Sequence, residues 1–136
     1  MSNKQTGSTF EHDFCIIAHE RGFWAHMMTA NKQGQPSDVI ICKNNTPAMI
    51  DCKVCENNVF TFDRIEENQW IAMTMWKKAG NLHALFALKI DNEVWMIPYN
   101  IIKESAGVGL KQFNYAQIQE NSYTFDEWEA IFCKSL

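Results

Sequence analysis

Two β-rich runs, residues 38–42 (DVIIC) and 48–54 (AMIDCKV), bracket Lys43-Asn44-Asn45-Thr46-Pro47, a segment that favours chain reversal. The pair predicts a hairpin, and side chains on a strand alternate between faces. Ile50, Cys52 and Val54 therefore share one face, while Asp51 and Lys53 share the other. A second hairpin is expected from residues 82–90 and 94–97, joined through Asp91-Asn92.

Helical signals alternate with these hairpins. Phe10, Phe14, Ile17, Trp24 and Met28 recur at helical spacing, which predicts an apolar face over residues 9–30. Ser8-Thr9-Phe10-Glu11 has capping-box form at its start. Residues 31–36 (NKQGQP) have loop composition. A second helix is expected over residues 63–79, with Asp63 and Glu66 at capping-box spacing and Gly80 past its end. Thr124-Phe125-Asp126-Glu127 caps a short terminal helix. Residues 100–123 carry only weak signals. The order predicts an α/β fold, a mixed β-sheet flanked by α-helices. With no repeat, low-complexity tract or interior linker in 136 residues, one domain spanning 1–136 is expected.

Five tryptophans and nine phenylalanines are enough to fill the interior of such a domain. No apolar run approaches the roughly 20 residues that span a bilayer, and the first ten residues lack the apolar stretch of a signal peptide. Five cysteines at irregular spacing fit reduced thiols better than a disulfide framework, so an intracellular location is expected. The formal net charge of −4 weighs against a nucleic-acid partner. That weight is partial, since carboxylates that hold divalent cations do not contribute a net negative field.

Residues 49–57 (MIDCKVCEN) carry two competing motifs. Cys52 and Cys55 make a C-x-x-C, but on a regular strand their sulfurs point to opposite sides. Structural zinc takes four ligands, and the other cysteines are scattered at 15, 42 and 133. No zinc site is expected, and Cys52 reads as a core residue. His12, His19 and His26 are spaced by seven, about 10.5 Å between neighbours on a helix; they read as a solvated or interface stripe. His83 reads as structural.

Asp51 and Lys53 make the other motif, D-x-K. Pro36-Ser37-Asp38 opens the first strand of the hairpin, so pairing can bring Asp38 and Asp51 together beside Lys53. Glu11, at the edge of the first helix's apolar stripe, can complete the cluster; Glu20 lies half a turn out of phase. Such a set suits metal-dependent phosphodiester hydrolysis, with carboxylates on Mg²⁺ and a lysine at the reacting water and phosphate. Taken singly, each residue has a plainer explanation: Glu11 as the third helical residue of a capping box, Asp38 as turn chemistry, Asp51 and Lys53 as a solvated strand face.

The ordered set G-S-T-F-E, R-G-F, P-S-D-V-I-I and M-I-D-C-K-V resembles the PD-(D/E)-x-K nuclease superfamily, and within it the Holliday-junction resolvases of archaeal and bacterial RecU kind. The likeness covers residues 7–97 and leaves residues 98–136 as an unassigned extension. It implies a restriction-endonuclease-like fold, a homodimer, and Mg²⁺-dependent endonucleolytic cutting of branched DNA, with Mn²⁺ as a substitute. By this resemblance Glu11, Asp38 and Asp51 bind metal, Lys53 is the catalytic lysine, and Gln69 lies near the site. Lys32 and Lys43, which flank the proposed cluster, are expected to contact DNA phosphates. The chain departs from the family in being acidic, with only Arg21 and Arg64 as arginines, and in its shortness; a compact phage-encoded enzyme fits that length. The other readings are a nuclease of this fold acting on different DNA structures, or a non-catalytic nuclease-fold inhibitor or interaction protein, which the acidity favours.

Overall fold

A computed structural model describes the backbone of residues 3–28 and 39–134, with side chains from residue 9 onward. Helix α1 (Asn3–Glu20) leads into the short strand β1 (Trp24–Met27). Strands β2 (Val39–Lys43) and β3 (Thr46–Val54) form the expected hairpin. Its two-residue loop places Asn44 and Asn45 at φ 52° and 64°. Asparagine tolerates this left-handed backbone, and two such residues match the twist of the flanking strands. After β4 (Phe60–Thr61) and a tight turn, α2 (Glu67–Lys78) crosses over to β5 (His83–Ile90), which runs parallel to β3. β5 returns through Asp91 and Asn92 to β6 (Glu93–Pro98), the second expected hairpin.

The chain then adds α3 (Tyr99–Gly107), β7 (Gln112–Phe113), α4 (Tyr115–Asn121), β8 (Tyr123–Thr124) and α5 (Phe125–Lys134). The main sheet has the order β1-β2-β3-β5-β6-β8, and β4 pairs with β7 separately. Only β3 and β5 are parallel, so the sheet is mixed. Within the described residues no helix is long and apolar enough to cross a membrane.

Two cores sandwich the sheet. On one face Phe10, Phe14 and Ala18 of α1 and Phe125, Trp128 and Phe132 of α5 pack on Ile41, Ile50, Cys52, Leu85 and Met96. On the other, Met73 of α2, Ile102 of α3 and Ile118 of α4 cover Met49, Phe86, Leu88 and Ile97. This burial is why β5 reads as an almost unbroken apolar run instead of an alternating one. Cys52 lies in the first core and Cys55 in the second, so the C-x-x-C is split across the sheet. Burial pushes the Cys55 thiol up to about 11, which disfavours the thiolate that metal or redox chemistry needs.

Several helix boundaries differ from expectation. α1 begins at Asn3, so Ser8 and Glu11 are interior positions and do not form a start cap. It ends at Glu20 because Gly22, at φ +85°, takes a left-handed conformation. Gly22 N–H then donates to the His19 carbonyl (3.0 Å) and Phe23 N–H to that of Ala18 (3.0 Å), a Schellman stop. Trp24, His26 and Met28 therefore leave the helix. His26 stacks on Trp24 at the sheet edge (5.6 Å, 12°), so the expected three-histidine stripe does not exist. α2 starts one turn later than expected. Phe62 and Ile65 are anchored in the second core, which holds Asp63 in a tight turn; the cap is formed by Glu66 and Gln69. Gly80, at φ +100°, ends α2 as expected.

His83 is buried at the start of β5, against Trp128 (5.9 Å) and Phe132 (5.0 Å). Burial, reinforced by the Lys77 charge, holds its imidazole below the ordinary pKa of 6.5. The unfolded chain therefore takes up this proton first on acidification, and stability rises with pH over that interval. The melting temperature is expected to fall as pH drops through about 6.5, with a shallower slope in His83→Gln. Equal slopes for the two proteins would remove His83 as the source.

Candidate functional site

Asp51 sits at the centre of β3, between β2 and β5, and is fully buried. Strand alternation puts it and Lys53 on one face of the sheet, as expected, and that face is the one α2 covers. Lys53 Nζ lies 3.5 Å from Asp51 Oδ1. Its side chain is 14% exposed, so the ammonium is partly desolvated against the carboxylate.

Gln69 joins the two. It is the third residue of α2 and is buried. Its Nε2 donates to Asp51 Oδ1 (3.3 Å), while its Oε1 accepts from Lys53 Nζ (3.3 Å) and from the Glu66 backbone N–H (3.0 Å). One amide thus caps α2 and fixes the aspartate relative to the lysine. The capping bond docks the helix start over β3, and the other two bonds orient the charged pair. Gln69→Ala removes all three partners at once. It is expected to destabilise the fold by about 1–3 kcal/mol, read as a lower urea midpoint with unchanged m-value.

The remaining expected site residues are placed differently. Glu11 is half-buried in the middle of α1, in the layer on the opposite face of the sheet. Its charge, added to burial, raises the Cys15 thiol pKa. Asp38 and Lys32 lie outside the described residues. Asp38 immediately precedes Val39, whose partner across the hairpin is Ile50, the neighbour of Asp51. Lys43 does not approach Lys53: it pairs with Thr46 at the other end of the hairpin. There its Nζ donates to the Arg21 carbonyl (2.8 Å), lies 3.7 Å from Glu129 and sits 5.2 Å over the Phe23 ring. This lysine ties α1 and α5 to β2, so it does not flank the Asp51–Lys53 pair.

Arg64 was not singled out for a role by its sequence position. Its guanidinium donates to the Val54 carbonyl (2.7 Å) and hydrogen-bonds the Cys55 thiol, which also feels Lys53. Two cations therefore meet at the end of β3. Only the tertiary turn at residues 62–65 brings Arg64 there, so no local pattern could have shown it. Among the described residues no three histidine, cysteine or acidic side chains are grouped closely enough to hold a metal ion.

No family model matches this sequence, and neither does any curated protein. Among solved structures, the chain is similar to Hjc, a Holliday junction resolvase from the archaeal hyperthermophile Archaeoglobus fulgidus. The TM-score is 0.70 at 16% identity, over 91% of this chain and 98% of that one. Agreement at that level over nearly the whole of both chains places this protein in the resolvase type of restriction-endonuclease-like α/β fold.

Proposed function

We propose that the chain is a metal-dependent endodeoxyribonuclease of resolvase type. The observation that carries the reading is the buried Asp51 held 3.5 Å from Lys53 on one strand face, with Gln69 bonded to both. A solvated strand face has no reason to bury a carboxylate and a lysine together, since the desolvation is costly.

Asp51 and Asp38 are the proposed Mg²⁺ ligands, with Mn²⁺ as the substitute ion; Glu11, which the sequence resemblance adds, lies in the layer across the sheet from Asp51 and is left out of the proposed set. Bound there, Mg²⁺ would polarise the scissile phosphate and acidify a water. Lys53 supplies what the metal does not: a donor fixed by Gln69 that orients the attacking water and faces the charge building on phosphate oxygen. Arg64, at the same end of β3, and Lys32 are the proposed backbone contacts. Charge reversal at Arg64 is expected to weaken DNA binding and flatten its salt dependence; unchanged affinity and slope would remove it from the interface. The proposed substrate is branched DNA and the proposed assembly a homodimer.

A second reading, a nuclease-fold protein that binds without cutting, is favoured by the net charge of −4. Calorimetric Mg²⁺ titration of wild type, Asp38→Asn and Asp51→Asn separates the two. The nuclease reading requires a site weakened in both variants; the binding reading requires none. A panel of labelled four-way junction, flap, duplex and single-stranded DNA then tests the substrate class, with paired symmetric nicks confined to the junction as the expected result.

A further inference from the structure

Strand β1 is an edge of the main sheet, and its two faces meet different surroundings. Ala25 packs against the first core, so strand alternation turns Trp24 and His26 to the other face. Across β2 they pair with Cys42 and Ile40, and Ile40 pairs in turn with Met49 of β3. Paired residues share a face, and Met49 belongs to the second core. Trp24 and His26 therefore stand on the same side of the sheet as Asp51 and Lys53. The helices on that side pack over β3, β5 and β6. Over β1, Trp24 remains 55% exposed and His26 is exposed beside it.

Successive same-face residues on a strand stand about 6.6 Å apart, and here the two rings lean into a near-parallel stack (5.6 Å, 12°). Burial does not explain the pair, since both side chains stay in solvent. What the pair offers is flat aromatic surface already ordered, on which a nucleobase can stack. Its position suits that use. Strand β1 lies two strands from β3, and Met49, in line with His26 across the sheet, is two residues from Asp51. Strand spacing puts His26 about 12 Å from Asp51, so one nucleic-acid strand can reach both. Stacking also adds affinity without cationic charge, which fits a chain of net charge −4 with only two arginines. We propose that Trp24 and His26 form a stacking platform for an unpaired base of the DNA strand whose phosphate lies at Lys53. The proposal rests on the nuclease reading and deepens it: the substrate carries unpaired bases beside the cut, because a base inside a duplex has its faces covered by its neighbours.

The test is fluorescence anisotropy of a labelled thymine oligonucleotide, single-stranded and annealed to its complement, titrated with the intact chain in metal-free buffer. Wild type is expected to bind the single strand more tightly than the duplex. Trp24→Ala should weaken single-strand binding at least about fivefold and leave duplex binding as it was. The salt dependence should keep its slope, because a stacking contact releases no counterion. His26→Ala should weaken the single strand in the same direction, and Trp24→Phe, which keeps a ring, should retain most of the wild-type affinity. Both side chains are exposed, and circular dichroism verifies the fold of each variant. A wild type with no preference for the single strand overturns the proposal. So does a Trp24→Ala protein that binds both forms as wild type does, or that loses both alike. Self-association lost in Trp24→Ala, with DNA affinity unchanged, overturns it too and assigns the rings to a protein contact. Ring-dependent single-strand binding by a protein that cuts nothing would defeat the nuclease alone, and cutting without any ring dependence would defeat the platform alone.

Discussion

Lys53→Met is expected to lower metal-dependent DNA cleavage by about 10²–10³-fold, the range for losing one pre-positioned donor at a developing charge. The same substitution should tighten Mg²⁺ binding. Lys53 Nζ is 3.5 Å from Asp51 Oδ1, where its charge competes with any cation for that carboxylate. Removing it leaves a buried aspartate without its compensating ammonium, which in the absence of metal costs about 3–5 kcal/mol. Added Mg²⁺ should return much of that loss, because a ligand that binds only the folded state stabilises it. Melting curves with and without Mg²⁺, run beside a cleavage assay, check all three effects. A variant that cuts at the wild-type rate would remove Lys53 from the chemistry. One that is neither destabilised nor more responsive to Mg²⁺ would show that the lysine does not neutralise Asp51.

Trp128→Ala should cost about 3–5 kcal/mol, a large part of the 5–15 kcal/mol that typically holds a domain folded. Trp128 is 2% exposed. It stacks on Phe23 (5.9 Å, 23°) and meets Phe125, Phe132 and His83 edge-on or tilted at 5.3–5.9 Å. Four rings packed around the indole resist collapse into the space it leaves, so a cavity term adds to the lost burial. Val108→Ala, at a position 82% exposed, is the matched control and should change stability by less than about 0.5 kcal/mol. Urea denaturation of both measures the contrast. Similar midpoints would mean that α5 does not close the first core.

The prediction bears on how much of this molecule its sequence displays. Both hairpins were legible because their signals are local: the Asn44-Asn45 and Asp91-Asn92 turns and the β-rich runs beside them. Asp51 and Lys53 on one face followed from strand alternation alone. The end of α1 was misread because Trp24 and Met28 happen to continue the spacing of Phe10 and Phe14. The stronger signal was Gly22, whose positive φ no helix interior accommodates. Residues 98–136 appeared to be an extension, yet β8 extends the main sheet and α5 completes the aromatic core. Phe125, Trp128 and Phe132 do sit at i, i+3 and i+7, a pattern that points to a buried helix face. Strand β8 has only two residues and α4 only seven, too few for a period to emerge.

At the site, the D-x-K and Gln69 were visible as residue types, while the bond that joins them was not. Gln69 meets Asp51 and Lys53 only because α2 starts at Glu67, one turn later than the Asp63–Glu66 spacing suggests. The position of Lys43 relative to the pair was not legible either. Lys43 is four residues from Val39 along β2, and proximity in sequence to Asp38 suggested a shared function. An extended strand carries those four residues about 13 Å away, where Glu129 and the Arg21 carbonyl hold the ammonium.

The central claim is that the buried Asp51, beside Lys53, is the reactive centre of a nuclease. Cleavage of labelled four-way junction and duplex DNA in Mg²⁺, wild type beside Asp51→Asn, tests it most directly. The account predicts metal-dependent cutting by wild type and its loss in the variant, with circular dichroism showing both folded. Folded wild type that cuts no DNA in Mg²⁺ or Mn²⁺, or an Asp51→Asn protein that cuts as fast as wild type, would contradict it.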